Sequence, residues 1–172
     1  MFGHCRLVIS TIRKTYYREE EAKVFEIELK NSDVLTIKDK ERSININVAQ
    51  STIDADLKVG VLAGAGQYEI GDVAIVASPL ADGGIMYRAV IGSVKIGIVG
   101  STAKIEDLDN LGPIDILATT NDKFVSVVEP KILIPLGNMD FAEVKATVKV
   151  EKKLKIKNSS SLPVALEIWK LD

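Results

Sequence analysis

The chain has 172 residues, 47% of them hydrophobic and 27% charged, with 22 Lys+Arg against 24 Asp+Glu. That length supports one self-sufficient core, and the balance of apolar and charged residues excludes a disordered chain. A net charge of −2 excludes the basic footprint of a dedicated nucleic-acid binder, and a single His (His4) with a single Cys (Cys5) excludes a His- or Cys-rich metal site within one chain.

No stretch approaches the ~20 apolar residues of a membrane helix. Met1–Ser10 is only weakly apolar, and Arg13, Lys14 and Arg18 follow it, which is not the layout of a secretory leader. A lone Cys fits a reducing compartment. A cytoplasmic location, with no membrane and no nucleic-acid partner, is the expectation. Residues 1–20 read as an N-terminal extension and residues 21–172 as a single domain, joined at the charged run Arg18–Lys23.

From Val24 the hydrophobic period is two. Phe25, Ile27 and Leu29 alternate with Glu26, Glu28 and Lys30, the pattern of a half-buried strand. After the turn at Asn31-Ser32-Asp33, Leu35 and Ile37 alternate with Thr36 and Lys38. Ile44, Ile46 and Val48 then alternate with Asn45 and Asn47, and a further strand is expected over Lys58–Ala63. Two hairpins follow. Gly71-Asp72 separates Tyr68–Ile70 from Val73–Ala77, and Gly92-Ser93 separates Met86–Ile91 from Val94–Val99. Glycine supplies the positive φ such tight turns require.

Beyond Gly100 the texture changes. Ile105, Leu108 and Leu111 sit at helical spacing, with Ser101 or Thr102 as the expected cap and Gly112-Pro113 as the stop. Ile114–Ala118 reads as a strand. Asp122–Glu129 reads as a second short helix with Phe124, Val127 and Val128 apolar, and Lys131–Leu136 as another strand. Val144, Ala146, Val148 and Val150 then alternate with Lys145, Thr147, Lys149 and Glu151. A Lys-rich strand carrying Leu154 and Ile156, and a last strand within Val164–Leu171, complete the chain.

The early strands have one polar face, whereas Ile114–Ala118 and Ile132–Leu136 are apolar throughout and must be covered on both faces. The expected architecture is therefore α+β: a two-sheet β-sandwich with few helices, set mainly against one outer face. Val73–Ala77 and Met86–Ile91 are also apolar on both sides, which points to a surface buried by self-association.

The order of elements and several short motifs resemble the metal-dependent hydrolases of the metallo-β-lactamase fold. Ala63-Gly64-Ala65-Gly66-Gln67-Tyr68-Glu69 is similar to that family's "GPGEYE" segment. Val94–Ser101 is similar to its strand ending in Gly-Asp, Asp107–Leu117 to the following helix and strand, and Glu129–Pro135 to its "PKIVIP" strand. Lys152–Ile156 with Ser161-Leu162-Pro163 is similar to its closing hairpin. The resemblance covers Val24 to Asp172 and implies a trimmed αββα sandwich.

It also implies ligand positions. The family's His-x-His-x-Asp-His loop falls at Gln50, Thr52, Asp54 and Ala55, its next His near Ala81, its bridging Asp at Ser101 and its last His at Gly137. Only Asp54 retains a family ligand. One carboxylate cannot hold a metal with an open position for an activated water. His4, in Phe2-Gly3-His4-Cys5, superficially matches the family's N-terminal Gly-His, but Val24–Lys30 is the better match to the strand that follows it. The resemblance thus implies a degenerate member without catalytic residues, metal or cofactor.

Other candidate sites have bland readings. The four glycines of Gly60–Gly71 lack the Lys-Ser/Thr of a P-loop and read as turns. Gly100, Ser101 and Thr102 follow a strand and precede a helix, so their backbone N–H groups could hold a small anion. The hydroxyls there have no His base nearby in sequence and read as caps. Asp107, Asp109, Asp115 and Asp122 flank strand ends and read as capping or solvated groups. The lysines at 145, 149, 152, 153, 155 and 157 read as a solvated edge that resists strand addition. The expected role is a non-catalytic module that binds another protein or assembles as a homo-oligomer. The alternatives are a hydrolase with a rebuilt or inter-subunit metal site, and small-anion binding at the residual cleft.

Overall fold

The structure, a computed structural model, describes residues 24–40, 42–55 and 60–172. Among these the chain builds a six-stranded and an eight-stranded sheet around a shared core. The expected N-terminal extension, with His4 and Cys5, lies outside the described residues.

The first sheet is an antiparallel meander of β1 (Phe25–Asn31), β2 (Val34–Lys38), β3 (Ser43–Asn47), β4 (Thr52–Ala55) and β5 (Val61–Ala63). β13 (Leu154–Ile156) is added beside β1. Its period-two pattern works as read: Phe25, Ile27, Leu35, Ile37, Ile44 and Ile46 point inward and are at most 3% exposed. The opposite face carries Glu28, Lys38, Asn45 and Asp54.

Thr36 departs from the expectation of a water-facing residue, since it is buried and donates its hydroxyl hydrogen to Asn45 Oδ1 at 2.8 Å. It lies on a central strand between the longer Glu28 and Asn45, which shade it. Another departure is β4, which no sequence signal separated from the turn before it. The strand expected from Lys58 is described only as β5, because residues 56–59 lie outside the described set.

The second sheet begins as an antiparallel run of β6 (Gly66–Ile70), β7 (Val73–Pro79), β8 (Ile85–Ile91) and β9 (Val94–Val99). The two expected hairpin turns are present, with φ of +63° at Gly71 and +57° at Gly92. From β9 the neighbours are parallel: β10 (Ile116–Thr119), β11 (Ile132–Pro135), β14 (Glu167–Leu171) and, at the edge, β12 (Thr147–Glu151).

The middle of this sheet, β9 to β11, is buried on both faces. Ile96, Ile98, Ile116 and Ile134 face the first sheet. Val99, Leu117, Leu133 and Ile168 face outward, beneath a 3-10 helix at Ile105–Asn110 and the helix α1 (Lys123–Val128). Gly97 makes that cover possible, because a Cβ there would stand 3.0 Å from Leu111 Cδ2 and 3.3 Å from Ile114 Cγ1. The expected placement of helices on one outer face is what the fold shows. Among the described residues, no helix is long and apolar enough to cross a membrane.

Details of the covering layer differ from the reading. The segment after Lys104 is 3-10, so Leu108 and Leu111 are buried while Ile105 is 48% exposed. Its cap is neither Ser101 nor Thr102: the Asp107 carboxylate accepts the Lys104 N–H at 2.8 Å. In α1, Val125 is buried with Phe124, and Val127 faces water, because a six-residue helix has room for one apolar stripe only.

The two-sided apolar strands are partly explained in the same way. Met86 is buried in the outer cluster, and Val76 and Val90 are half-buried rather than fully open. The closing hairpin expected of Lys152–Ile156 and Ser161–Pro163 does not form, for β13 pairs with β1 in the first sheet, while Ser159–Ser161 is a 3-10 turn leading to β14 in the second. Leu154 and Ile156 are buried opposite Ile27 and Phe25, whereas Val148 and Val150 lie 49% and 58% exposed on the edge strand.

Truncating the doubly covered strand, Ile134→Ala, is expected to cost ~2–5 kcal/mol in denaturant unfolding, against less than ~0.5 kcal/mol for Asp54→Asn on the exposed face. Asn45→Ala belongs with neither, since it strips a buried hydroxyl of its acceptor, at a cost of ~1–3 kcal/mol.

Tyr87 is 1% exposed inside the sandwich, and its hydroxyl has no hydrogen-bond partner there. Burial, with the nearby Tyr68 adding to it, pushes its pKa up to about 12 from an ordinary value of 10.0. The folded state therefore favours the neutral phenol. Stability should hold below pH ~10 and fall between pH ~10 and ~12 as the unfolded chain ionises first. Tyr87→Phe should flatten that alkaline loss and leave stability at pH 7 unchanged or raised by up to about 1 kcal/mol.

Candidate functional site

β9, β10 and β11 end level with one another, Val99 beside Thr119 and Thr119 beside Pro135. Carboxyl ends of parallel strands are where such sheets gather their functional loops. Here the loops are bound together by backbone contacts. Leu136 donates its N–H to the Thr119 carbonyl and Gly137 donates to the Ser32 carbonyl, each at 2.8 Å. Val48 Cβ lies 3.4 Å from where a Cβ on Gly100 would stand, so the end of β3 belongs to the same cluster. Gly84, at φ +89°, comes so close to Thr102 that a Cβ would meet its Oγ1 at 2.8 Å, with Ser51 Oγ at 3.8 Å. An ion pair of 2.6 Å between Lys104 Nζ and Asp82 Oδ2 ties the loop after β7 to the one after β9. The bond to Asp82 holds the Lys104 ammonium above its usual range.

The positions matched to family ligands divide into two groups. Gln50, Ala81, Ser101 and Gly137 sit on loops at this end and are exposed. Thr52, Asp54 and Ala55 lie instead within β4, paired with Asn47, Asn45 and Ile44 of β3. Asp54 is on the outer, water-facing side of the first sheet, and Ala55 is 5% exposed in the core. The cause is local. Asn47 Oδ1 accepts the N–H groups of Ala49 and Gln50 at 3.1 and 3.0 Å, and Asn47 Nδ2 donates to Gln50 Oε1 at 3.1 Å. With Ser51 at φ +54°, the chain reverses in four residues and returns as a strand, with no length left for a ligand loop.

The family's metal does not fit these residues. Ala81 and Gly137 have no donor side chain, Gln50 and Ser101 are weak neutral donors, and Asp82 is held by Lys104. Among the described residues no group of three or more His, Cys, Asp or Glu stands together. Gly100, Ser101 and Thr102 form a short turn in which Ala103 donates its N–H to the Gly100 carbonyl at 3.5 Å. The cation two residues on, Lys104, is already paired.

The flanking carboxylates do not converge. Asp107 caps the 3-10 helix, and Asp109 is exposed. Asp122 makes no cap bond, whereas Asn121 Oδ1 accepts the Lys123 N–H at 3.1 Å. Asp115 lies at the opposite end of the sheet, where it accepts the Lys95 N–H at 3.0 Å at the start of β9.

Sequence reasoning missed a cleft of about 600 Å³ beside Gly137, where the β1–β2 turn faces the loop after β11 and the end of β14. Lys30, Asn31, Asn138, Phe141 and Lys170 line it, from three distant stretches of chain that no spacing connects. Nearby, the hydroxyl of Thr120 is buried with no hydrogen-bond partner.

Gly84→Ala is expected to destabilise the fold by ~1–3 kcal/mol through its positive φ and the contact with Thr102. Gly83→Ala, equally left-handed at φ +88° but in open space, should cost less. Paired thermal unfolding of the two variants checks the contact.

No family model matches the chain, and no curated protein does. Among solved structures it is similar to a proposed Zn-dependent hydrolase of the metallo-β-lactamase superfamily from Thermotoga maritima. The TM-score is 0.62 at 12% sequence identity, with 86% of this chain and 100% of that chain covered. The chain thus has a β-rich α+β sandwich whose fold resembles that of this metallo-β-lactamase superfamily structure.

Proposed function

We propose that this protein is a degenerate, non-catalytic relative of the metallo-β-lactamase hydrolases that acts as a binding or self-assembly module without a metal. One observation carries the reading: β4 runs as an ordinary antiparallel strand through the positions matched to the ligand loop. A hydrolase of this kind needs three or more fixed ligands around the metal-bound water. Here Ala55 is spent on the core and Asp54 faces away from the loop cluster. The scaffold is retained because its core needs no metal, and what remains available for function is surface.

Elemental analysis of the purified full chain is expected to find no stoichiometric Zn, Mn or Fe. A chelator should leave the thermal midpoint where it was, because ligand linkage contributes nothing when no ligand binds the native state. Metal at one per chain, or a midpoint lowered by chelation, defeats this reading in favour of a hydrolase with a rebuilt or inter-subunit site.

A further inference from the structure

We infer that a second copy of this chain docks on the free edge of β12, in antiparallel register about a two-fold axis through Val148. This gives the proposed assembly role its surface, and rests on it.

The backbone direction comes first. Among the described strands β12 has one neighbour, β14. Asp172 donates its N–H to the Glu151 carbonyl at 3.1 Å, so the backbone groups of Glu151 turn toward β14. In an extended strand the direction alternates, so Thr147 and Lys149 turn the same way. Val148 and Val150 then present their N–H and C=O groups to the open edge.

A two-fold antiparallel pair places one residue opposite itself. With Val148 at that point, its N–H and C=O exchange bonds directly with Val148 of the partner subunit; Ala146, at a bend just before β12, straightens on docking and does so with the partner's Val150. The exposed valine side chains all lie on one face of the extended sheet and cover one another. Lys145 then stands opposite the partner's Glu151, and the same ion pair recurs on the other side of the axis. Centring the pair on Lys149 would instead set two lysines face to face, which is destabilising.

Three of the six lysines that read as guards of this edge are occupied elsewhere. Lys149 Nζ is 2.8 Å from Glu167 and 4.9 Å from the centre of the Trp169 ring. Lys153 and Lys155 reach Glu26 at 2.9 and 3.4 Å. What the edge offers is two valines 49% and 58% exposed, flanked by one cation and one anion in self-complementary order. Such pairing of identical patches is the commonest form of association.

The test is sedimentation velocity of the full chain from about 1 to about 100 µM, a range spanning weak homodimers. A reversible dimer is expected. Lys145→Glu and Glu151→Lys should each raise its dissociation constant ~tenfold or more, and the two together should restore it, as charge complementarity requires. Val148→Pro, which removes an outward N–H and no bond to β14, should abolish it. A chain that stays monomeric throughout overturns the inference, and so does a dimer whose dissociation constant ignores both charge reversals. Neither outcome bears on the metal content, which tests the non-catalytic role separately.

Discussion

Burial of the parallel strands β9, β10 and β11 on both faces is the constraint from which the rest of the structure follows. Parallel strands need long crossovers, and crossovers carry the covering segments. The connection from β9 to β10 carries the 3-10 helix, and the one from β10 to β11 carries α1. Each lays apolar residues on Leu117, Leu133 and Ile168. Gly97 is the concession that lets Leu111 lie close to the sheet. The six-stranded sheet has no such requirement. Its outer face is polar, and tight turns suffice to join β1 to β2 and β3 to β4.

That asymmetry explains what was legible in the sequence. Strict alternation at Phe25–Lys30 and continuous apolar runs at Ile114–Ala118 and Ile132–Leu136 encode one-sided and two-sided burial directly. Gly71 and Gly92 mark turns that need a positive φ. These features are local, and local chemistry suffices to read them. Thr36 was misplaced because its burial depends on neighbours in other strands. Leu154–Ile156 was read as half of a hairpin because sheet membership is a long-range property: β13 pairs with β1, more than a hundred residues away.

The candidate site was harder to read for the same reason. Of the positions that the resemblance singles out, Gln50, Ala81, Ser101 and Gly137 lie on loops at the carboxyl end of the parallel strands. Thr52, Asp54 and Ala55 lie within β4 instead, because the side chain–backbone turn at Asn47 returns the chain at once as a strand. Asp54 accordingly stands on the water-facing side of the first sheet. A motif is chemistry only when the backbone delivers it, and here the hydrogen bonds of one asparagine redirect the delivery. Asp115 makes the complementary point: near the predicted site in sequence, it is bonded to the start of β9 at the far end.

The position of β14 has a consequence for the order in which the sheet is built. It lies between β11 and β12 although it follows both in the chain. β12 has no other strand to pair with among the described residues, so it stays unregistered until β14 has inserted beside β11. The edge of the larger sheet is thus completed last, by contacts of long sequence separation, which form slowly. During that interval β11 is itself an unprotected edge, rich in isoleucine and leucine, of the kind through which folding intermediates stick to one another. The same threading makes the outermost strand a reporter: protection of its amides from hydrogen exchange marks the arrival of β14.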